Sequence, residues 1–504
     1  MQIKGFTMIH FLTMIQAEGR WSRLHRLFNA MTIRACLFAA AVIPQLIDIR
    51  TTLADQTAVP NIILVMADDQ GYGDTGFTGH PTLKTPHMDA MAAKSVVFNR
   101  FYAGAPVCSP TRASVMTGRT PTRVNVPNHG HYLRPHEITI AEALKTAGYS
   151  TGHFGKWHIG SVQPNSPTSP GGQGFDEWVS GLNFFDRNPY LSRNGNYERM
   201  KGQGSVIAMD ETIQFIKKHT NDAKPFFAVT WFPAPHDPHR ESLSEVDQLK
   251  LYSGPNQGYY REIQLIDQQL GRLRKTLRTL KIAKNTILWY CSDNGGLVKE
   301  YSGGRAKKGS IYEGGLRIPS MIEWPAKFKA SKINTPAYTC DMYPTLVRIA
   351  GAKVEHQPQL DGIDLEKIIA GEQTRRPPMG FWHFLTAGQS TKSDEIIKSL
   401  MEAKNAGKPN PFPNRILKNV NDFPKREKGM FTGHAAWNDF PWKLHRIQKK
   451  EQSSFELYNL ESDPMETNDL LKLESERGKK MRAELEAWQA SIFDSLEGKD
   501  YKDK

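Results

Sequence analysis

The sequence predicts an α/β fold, a mostly parallel sheet sandwiched by helices, on three observations. Apolar runs end abruptly in polar groups: Asn61–Ala67 runs into Asp68-Asp69, Phe226–Trp231 leads towards His236, and residues 286–291 lead into Asp293-Asn294. Unbroken apolar runs of this length are typical of strands buried on both faces. Helical patterns separate them, over 86–94 behind Thr85, 138–147, 206–218 and 258–280, and alternating strand and helix implies a parallel sheet covered on both sides. In such sheets ligands bind outside the carboxyl ends of the strands, which is where the polar groups fall.

The remaining elements follow in chain order. The run 35–43 has nine apolar residues closed by Pro44, too short for the roughly 20 that cross a bilayer. With Met31-Thr32-Ile33-Arg34 before it and Thr52-Leu53-Ala54 after it, it reads as an export signal cleaved near Ala54, with translation starting at Met31 and a product that is periplasmic or secreted. Residues 161–174, with three prolines and Gly171-Gly172, read as a loop rimming a site. Residues 386–428 are polar and basic with prolines at 409, 411 and 413, and read as a surface excursion, with an inserted lid as the alternative. Beyond it, 442–445 and 455–458 read as two antiparallel strands before a helix over about 471–497. The organisation expected is an extension and signal over 1–54, a main domain over 55–375, and a smaller α+β subdomain over 376–504 that carries the insertion.

Composition limits the partners. At 504 residues, 39% hydrophobic and 23% charged, the chain is an ordinary folded one and not a disordered or disulfide-scaffold one. Its net charge is +13, and +9 without residues 1–54, which hold six basic and two acidic side chains. That field favours anionic partners. No nucleic-acid-binding motif is present, so nucleic acid is not the expected partner, and no stable membrane insertion is expected. Of Cys36, Cys108, Cys291 and Cys340, three survive signal removal, an odd number that invites a chemical role for one. Cys291, in an apolar run, reads as core.

The chemistry concentrates around Pro106-Val107-Cys108-Ser109-Pro110-Thr111-Arg112, followed by Thr117-Gly118-Arg119. Ser109 can cap a helix whose first residue is Pro110, which puts Cys108 at a positive helix terminus with the Arg112 fork one turn on. Asp68, Asp69, Asp293 and Asn294 form an all-oxygen set suited to a hard cation.

These residues resemble type I sulfatases. The first stretch is similar to their C-x-P-x-R signature, and Gly148-Tyr149-Ser150-Thr151-Gly152-His153-Phe154-Gly155-Lys156-Trp157-His158 to their second signature, with Phe154 where a small or aliphatic residue is usual. The resemblance spans about 59–352, including Asp341-Met342-Tyr343-Pro344-Thr345-Leu346, and resumes at Glu456-Leu457-Tyr458-Asn459-Leu460 with Asp463-Pro464. It implies an alkaline-phosphatase-like fold and conversion of Cys108 to Cα-formylglycine by a formylglycine-generating or radical maturation enzyme. It also implies one calcium ion on Asp68, Asp69, Asp293 and Asn294, with the oxygen at position 108 completing the shell.

Sulfate binding then falls, by resemblance, to Arg112, Lys156, His236 and Lys308. The context Lys308-Gly309-Ser310-Ile311-Tyr312-Glu313-Gly314-Gly315 selects Lys308 over Lys307. His158 takes the proton that releases sulfate, and His236 or Lys308 protonates the leaving alcohol. His239 and Arg317 read as structural, with a supporting or subsite role as the alternative. The function implied is a sulfuric ester hydrolase acting on a sulfated carbohydrate, the basic net charge and extra loops suiting an external polyanion. The rivals are a phosphonate or phosphodiester hydrolase of the same fold and a non-catalytic protein that binds sulfated glycans.

Overall fold

The computed structural model describes residues 59–501 apart from 223, 240–251, 384–385, 426, 428 and 450–451. The expected export signal lies outside the described residues.

Seventeen strands are described: β1 (Asn61–Ala67), β2 (Val96–Phe98), β3 (Phe101–Tyr102), β4 (Ser150–Lys156), β5 (Glu177–Gly181), β6 (Tyr190–Arg193), β7 (Asn196–Arg199), β8 (Phe226–Trp231) and β9 (Thr286–Ser292), then β10 (Arg317–Ile318), β11 (Ser320–Glu323), β12 (Ser331–Ile333), β13 (Ala337–Tyr338), β14 (Met379–His383), β15 (His434–Asp439), β16 (Trp442–Lys449) and β17 (Gln452–Asn459). Ten form the main sheet, in the order β12-β2-β11-β9-β1-β8-β4-β5-β6-β7. Its centre, β9-β1-β8-β4-β5, is parallel throughout, and antiparallel strands close both flanks. β10, β3 and β13 make a small second sheet.

The alternation of β1 shows why this sheet is covered twice. Ile62, Leu64 and Met66 enter one core cluster and Ile63, Val65 and Ala67 the other, because successive strand residues point to opposite faces. The main helices are α1 (Pro86–Ala92), α2 (Cys108–Thr117), α3 (Ile140–Thr146), α4 (Gly204–His219), α5 (Gln257–Thr279) and α6 (Met342–Ile349). α2, α3 and α6 supply the first cluster, and α1, α4 and α5 the second. Phe154 is accommodated in the second cluster, nearly fully buried with its ring 5.5 Å from that of Phe215.

The C-terminal part is richer than two strands and a helix. β14-β15-β16-β17 form a four-stranded antiparallel sheet, and helices α7 (Ser393–Asn405) and α8 (Ser475–Leu496) follow β14 and β17. α8 packs on the sheet through Met481, Leu485, Ile492 and Phe493 against Trp382, Leu444 and Leu457. Between β14 and β15 lies the basic insertion. No helix among the described residues is long and apolar enough to cross a membrane.

Candidate active site

Neighbouring strand ends build the site. Parallel pairing sets Ala67 opposite Ser292 and Gly155 opposite Trp231, so the chain leaves β9, β1, β8 and β4 at one edge. Asp68 and Asp69 follow β1, Asp293 and Asn294 follow β9, and Lys156 ends β4. All five are fully buried. Backbone bonds hold the strand ends in place: Asp68 N–H donates to Ala234 O at 2.9 Å and Asp293 N–H to Ala67 O at 3.1 Å, while Asp69 N–H donates to Asp293 Oδ1 at 3.0 Å.

Helix α2 brings the cysteine and the arginine. It begins at Cys108, with extended Val107 as N-cap, rather than behind Ser109. Proline is tolerated throughout the first turn, where N–H groups lack intrahelical partners, so Pro110 did not mark the first residue. Ser109 Oγ instead accepts from Gly130 N–H at 2.9 Å. The ligand atoms of Asp68, Cys108 and Asp293 all lie within 4.8 Å of one another. Burial pushes the Cys108 thiol pKa up although Lys156 and Lys308 oppose it, so the helix terminus does not make a thiolate here. Arg119, from the same signature, turns away: Nη1 bonds both oxygens of buried Glu137, at 2.7 and 2.8 Å.

Each carboxylate of the site is met by a cation. Lys156 Nζ lies 2.5 Å from Asp68 Oδ2, Lys308 Nζ 2.6 Å from Asp69 Oδ2, and Arg112 Nη2 2.8 Å from Asp293 Oδ2 and 3.4 Å from Asp68 Oδ2. Arg112 Nη1 also donates to Lys156 O at 2.9 Å, and the guanidinium sits 5.0 Å above the Trp231 ring. Burial alone would raise the Asp68 carboxyl, but Lys156 and Arg112 hold it well below the usual range. Burial, followed by the Asp68 charge, pushes Asp293 up to about 7. Three carboxylates thus face three cations in the cluster.

Unsatisfied atoms remain in the site. Asn294 Nδ2 donates to Asp69 Oδ1 at 2.8 Å, and Asn294 Oδ1 and Asp68 Oδ1 are buried acceptors without a partner. Arg112 Nε and both ring nitrogens of His158 are likewise buried and unpartnered. A buried polar group left unpaired costs about 1–3 kcal/mol, so orphan acceptors beside orphan donors fit a hard cation together with an oxyanion.

The two histidines differ. His158 has a left-handed backbone, φ 57°, a strain that functional sites carry. Burial and the charges of Lys156 and Arg112 hold its pKa well below the usual value, so it is neutral. His236 is partly exposed, stacks 5.3 Å from the Phe184 ring and donates from Nδ1 to Asp237 O at 2.6 Å. Its Nε2 therefore faces the site, 3.8 Å from Asp69 Oδ2.

All ten residues expected in the site are brought together. His239 and Arg317 are held by the backbone, donating to Pro235 O at 2.6 Å and to Asn99 O at 2.6 Å. Sequence reasoning missed His129 and His383. His129, an exposed residue on a largely buried loop, lies within reach of the charges of Lys308, Lys156 and His236, and His383, from β14, bonds the backbone of Gly309. Neither carried a local signal beyond being a histidine.

The family model described as Sulfatase matches residues 60–352. N-acetylgalactosamine-6-sulfatase of Sus scrofa is 31% identical over 367 residues, 63% of this chain and 67% of that protein. The ulvan-active sulfatase of Formosa agariphila is 29% identical over 338 residues, 62% of this chain and 66% of that one. Among solved structures, Ps i-CgsB in complex with k-i-k-neocarrahexaose superposes with a TM-score of 0.69 at 25% identity, covering 86% of this chain and 93% of that one.

Proposed function

The chain belongs to the sulfatase family and is a sulfuric ester hydrolase; from that premise we propose that it removes sulfate from a sulfated carbohydrate, with Cys108 as the reacting position and a calcium ion beside it. The observation that carries the reading is the buried convergence of Asp68, Cys108 and Asp293 within 4.8 Å, ringed by Arg112, Lys156 and Lys308. The carbohydrate class is supported by the relatives' names and by the neocarrahexaose complex.

Asp68, Asp69, Asp293 and Asn294 would hold the calcium, and their all-oxygen donor set and the orphan Oδ1 atoms of Asp68 and Asn294 fit it. Conversion of Cys108 to formylglycine by a maturation enzyme would supply, as the hydrate, a hydroxyl able to attack sulfur, and the ion would supply positive charge to ionise it. The raised thiol of unmodified Cys108 supports a converted side chain as the reacting group.

The chain's own residues then have separable roles. Lys156, Lys308 and Arg112 are each fixed on a carboxylate by one bond and keep further N–H groups for the sulfate oxygens, so the oxyanion meets donors already oriented. His236, with its tautomer set by the Nδ1–H bond to Asp237 O, presents Nε2 to the leaving oxygen and delivers a proton there when charged; Lys308 is the other donor in reach. His158 is kept neutral by burial and by two cations, so it is suited to accept the proton that must depart as sulfate is released.

We read the chain as exported, on the pattern over 31–54; sequencing the mature N-terminus tests this, and a product starting upstream of Met31 overturns it. The activity test is peptide mass spectrometry of the Cys108 segment, from protein made with a competent maturation system, alongside sulfate release from a panel of sulfated sugars. A mass about 18 Da below cysteine together with sulfate release is expected. An unmodified cysteine beside a converted control sulfatase, or a preference for aryl phosphonate over aryl sulfate, would overturn the reading.

A further inference from the structure

The basic insertion is not a surface excursion. It is bonded to the loop that carries His129: Asn128 Nδ2 donates to Thr386 O at 2.7 Å, Gln389 N–H to His129 O at 2.8 Å, and Asn419 Nδ2 to Tyr132 O at 3.2 Å. Gly130, in the middle of this loop, also donates to Ser109 Oγ, one residue beyond the reacting position. Two glycines permit the interlock. Gly130 has φ +75° and a Cβ there would fall 2.0 Å from Gln389 O, while a Cβ on Gly388 would fall 1.8 Å from His129 Cε1. At Gly130 the obstacle is backbone and leaves no room for a side chain, and at Gly388 it is the His129 ring, which packs directly against the glycine.

This junction holds two cations with neutral partners. Lys418 is half-buried, bonded to Gly130 O at 3.3 Å and to Gln389 Oε1, with Nζ 4.4 Å above the Tyr132 ring. Arg415 bonds the Tyr132 hydroxyl at 3.1 Å. Among the described residues neither is in an ion pair, and Asp422, an acid of the same stretch, is engaged by Asn125 Nδ2 at 3.0 Å. Burial and the Arg415 charge lower the Lys418 ammonium to about 8. Two like charges held together without a counterion are a cost that an incoming anion relieves.

We propose that Arg415 and Lys418 form a subsite for a second acidic group on the substrate, so that the enzyme acts on an oligosaccharide bearing a further sulfate or a carboxylate beside the scissile sulfate. His129 feels the charge of Lys308 on one side and packs against Gly388 of the insertion on the other, which ties the junction to the reacting centre. The inference rests on the sulfatase reading and deepens it. It also gives the insertion a function, which is to place cations at a distance from the reacting centre set by the interlock.

The test uses three disaccharides that share one scissile sulfate ester and whose second sugar is neutral, a uronate, or itself sulfated, together with p-nitrophenyl sulfate. In the Arg415→Gln/Lys418→Gln variant, the ratio of kcat/KM on the acidic disaccharide to that on the aryl sulfate should fall more than tenfold. The Kd of the unconverted Cys108 protein for that disaccharide should rise by the same factor. Lys418→Arg should retain most of the wild-type ratio, and Lys408→Ala, an exposed cation of the insertion, all of it. Loss confined to the doubly sulfated sugar assigns a sulfate to the subsite, and loss confined to the uronate assigns a carboxylate. An unchanged ratio, or equal loss on the neutral disaccharide, would overturn the subsite while leaving the sulfatase reading intact. Wild-type protein that is converted at Cys108 but inactive on every sulfate ester would overturn both.

Discussion

Replacing Lys443 by methionine keeps the length of the side chain and removes its charge from a buried set. Lys443, on β16, is fully buried with Nζ 2.9 Å from Glu313 and 3.0 Å from Glu466. Glu313 follows the Lys308 loop and accepts from the Tyr102 hydroxyl at 3.0 Å. Glu466 accepts from Glu313 N–H at 2.6 Å and bonds His445 Nε2 at 2.7 Å. The set therefore ties the C-terminal sheet to the segment that positions Lys308. Without the ammonium, two buried carboxylates face each other, and the folded variant must take up a proton. From its ordinary 4.5, neutralising one glutamate at pH 7 costs about 3.4 kcal/mol. Protonating His445 instead starts from a higher pKa but charges a buried ring. Both routes agree with the roughly 3–5 kcal/mol seen when one partner of a buried pair is removed. We expect a loss of about 3 kcal/mol at pH 7. Because the variant's folded state binds a proton that its unfolded state lacks, the deficit relative to wild type should shrink by about 1.4 kcal/mol per pH unit on acidification from 7.5 to 5.5. Urea unfolding of both proteins at three pH values, followed by tryptophan fluorescence, reads this. A deficit under about 1 kcal/mol, or one that does not change with pH, would refute the reasoning.

Three further outcomes follow from the geometry. Burial, then the His445 and Lys443 charges, lower His434 to about 2, and burial with Lys443 lowers His445 well below 6.5; the unfolded chain thus binds protons that the folded one refuses, and stability present above pH 6.5 is lost as pH falls, by about 1.4 kcal/mol per unit for each ring. His434→Asn should reduce that slope in thermal melts between pH 7 and 5, and an unaltered slope would exclude His434 as a source. Calcium at about 100 times its Kd should stabilise the protein by about 2.7 kcal/mol, reversed by a chelator and abolished in Asp293→Asn; a full shift in that variant would place the ion elsewhere. Arg112→Lys gives up the fork that spans Asp293 Oδ2 and Lys156 O, so kcat/KM on p-nitrophenyl sulfate should fall at least about 100-fold, on the scale of removing one oxyanion donor, and a change under threefold would show that the fork is not needed.

The central strands and the polar groups at their ends were readable from the chain alone, because a strand buried on both faces writes itself as a continuous apolar run and the residues beyond it are free to be polar. Asn61–Ala67 and the following Asp68-Asp69 are the clearest instance, and Cys108, Arg112, Lys156 and Lys308 sat in local contexts specific enough to be placed one by one. The start of α2 was misread by two residues because proline is compatible with several first-turn positions. β14 and β15 escaped because Met379–His383 and His434–Asp439 are short, unpatterned and separated by the insertion; their pairing, with Met379 opposite Asn438, exists only once the chain has closed that loop. The same holds for which cation meets which carboxylate, for His129 against Gly388, and for Lys443 between Glu313 and Glu466. These are contacts between residues tens to hundreds of positions apart, and local periodicity carries no information about such partners; packing in three dimensions selects them.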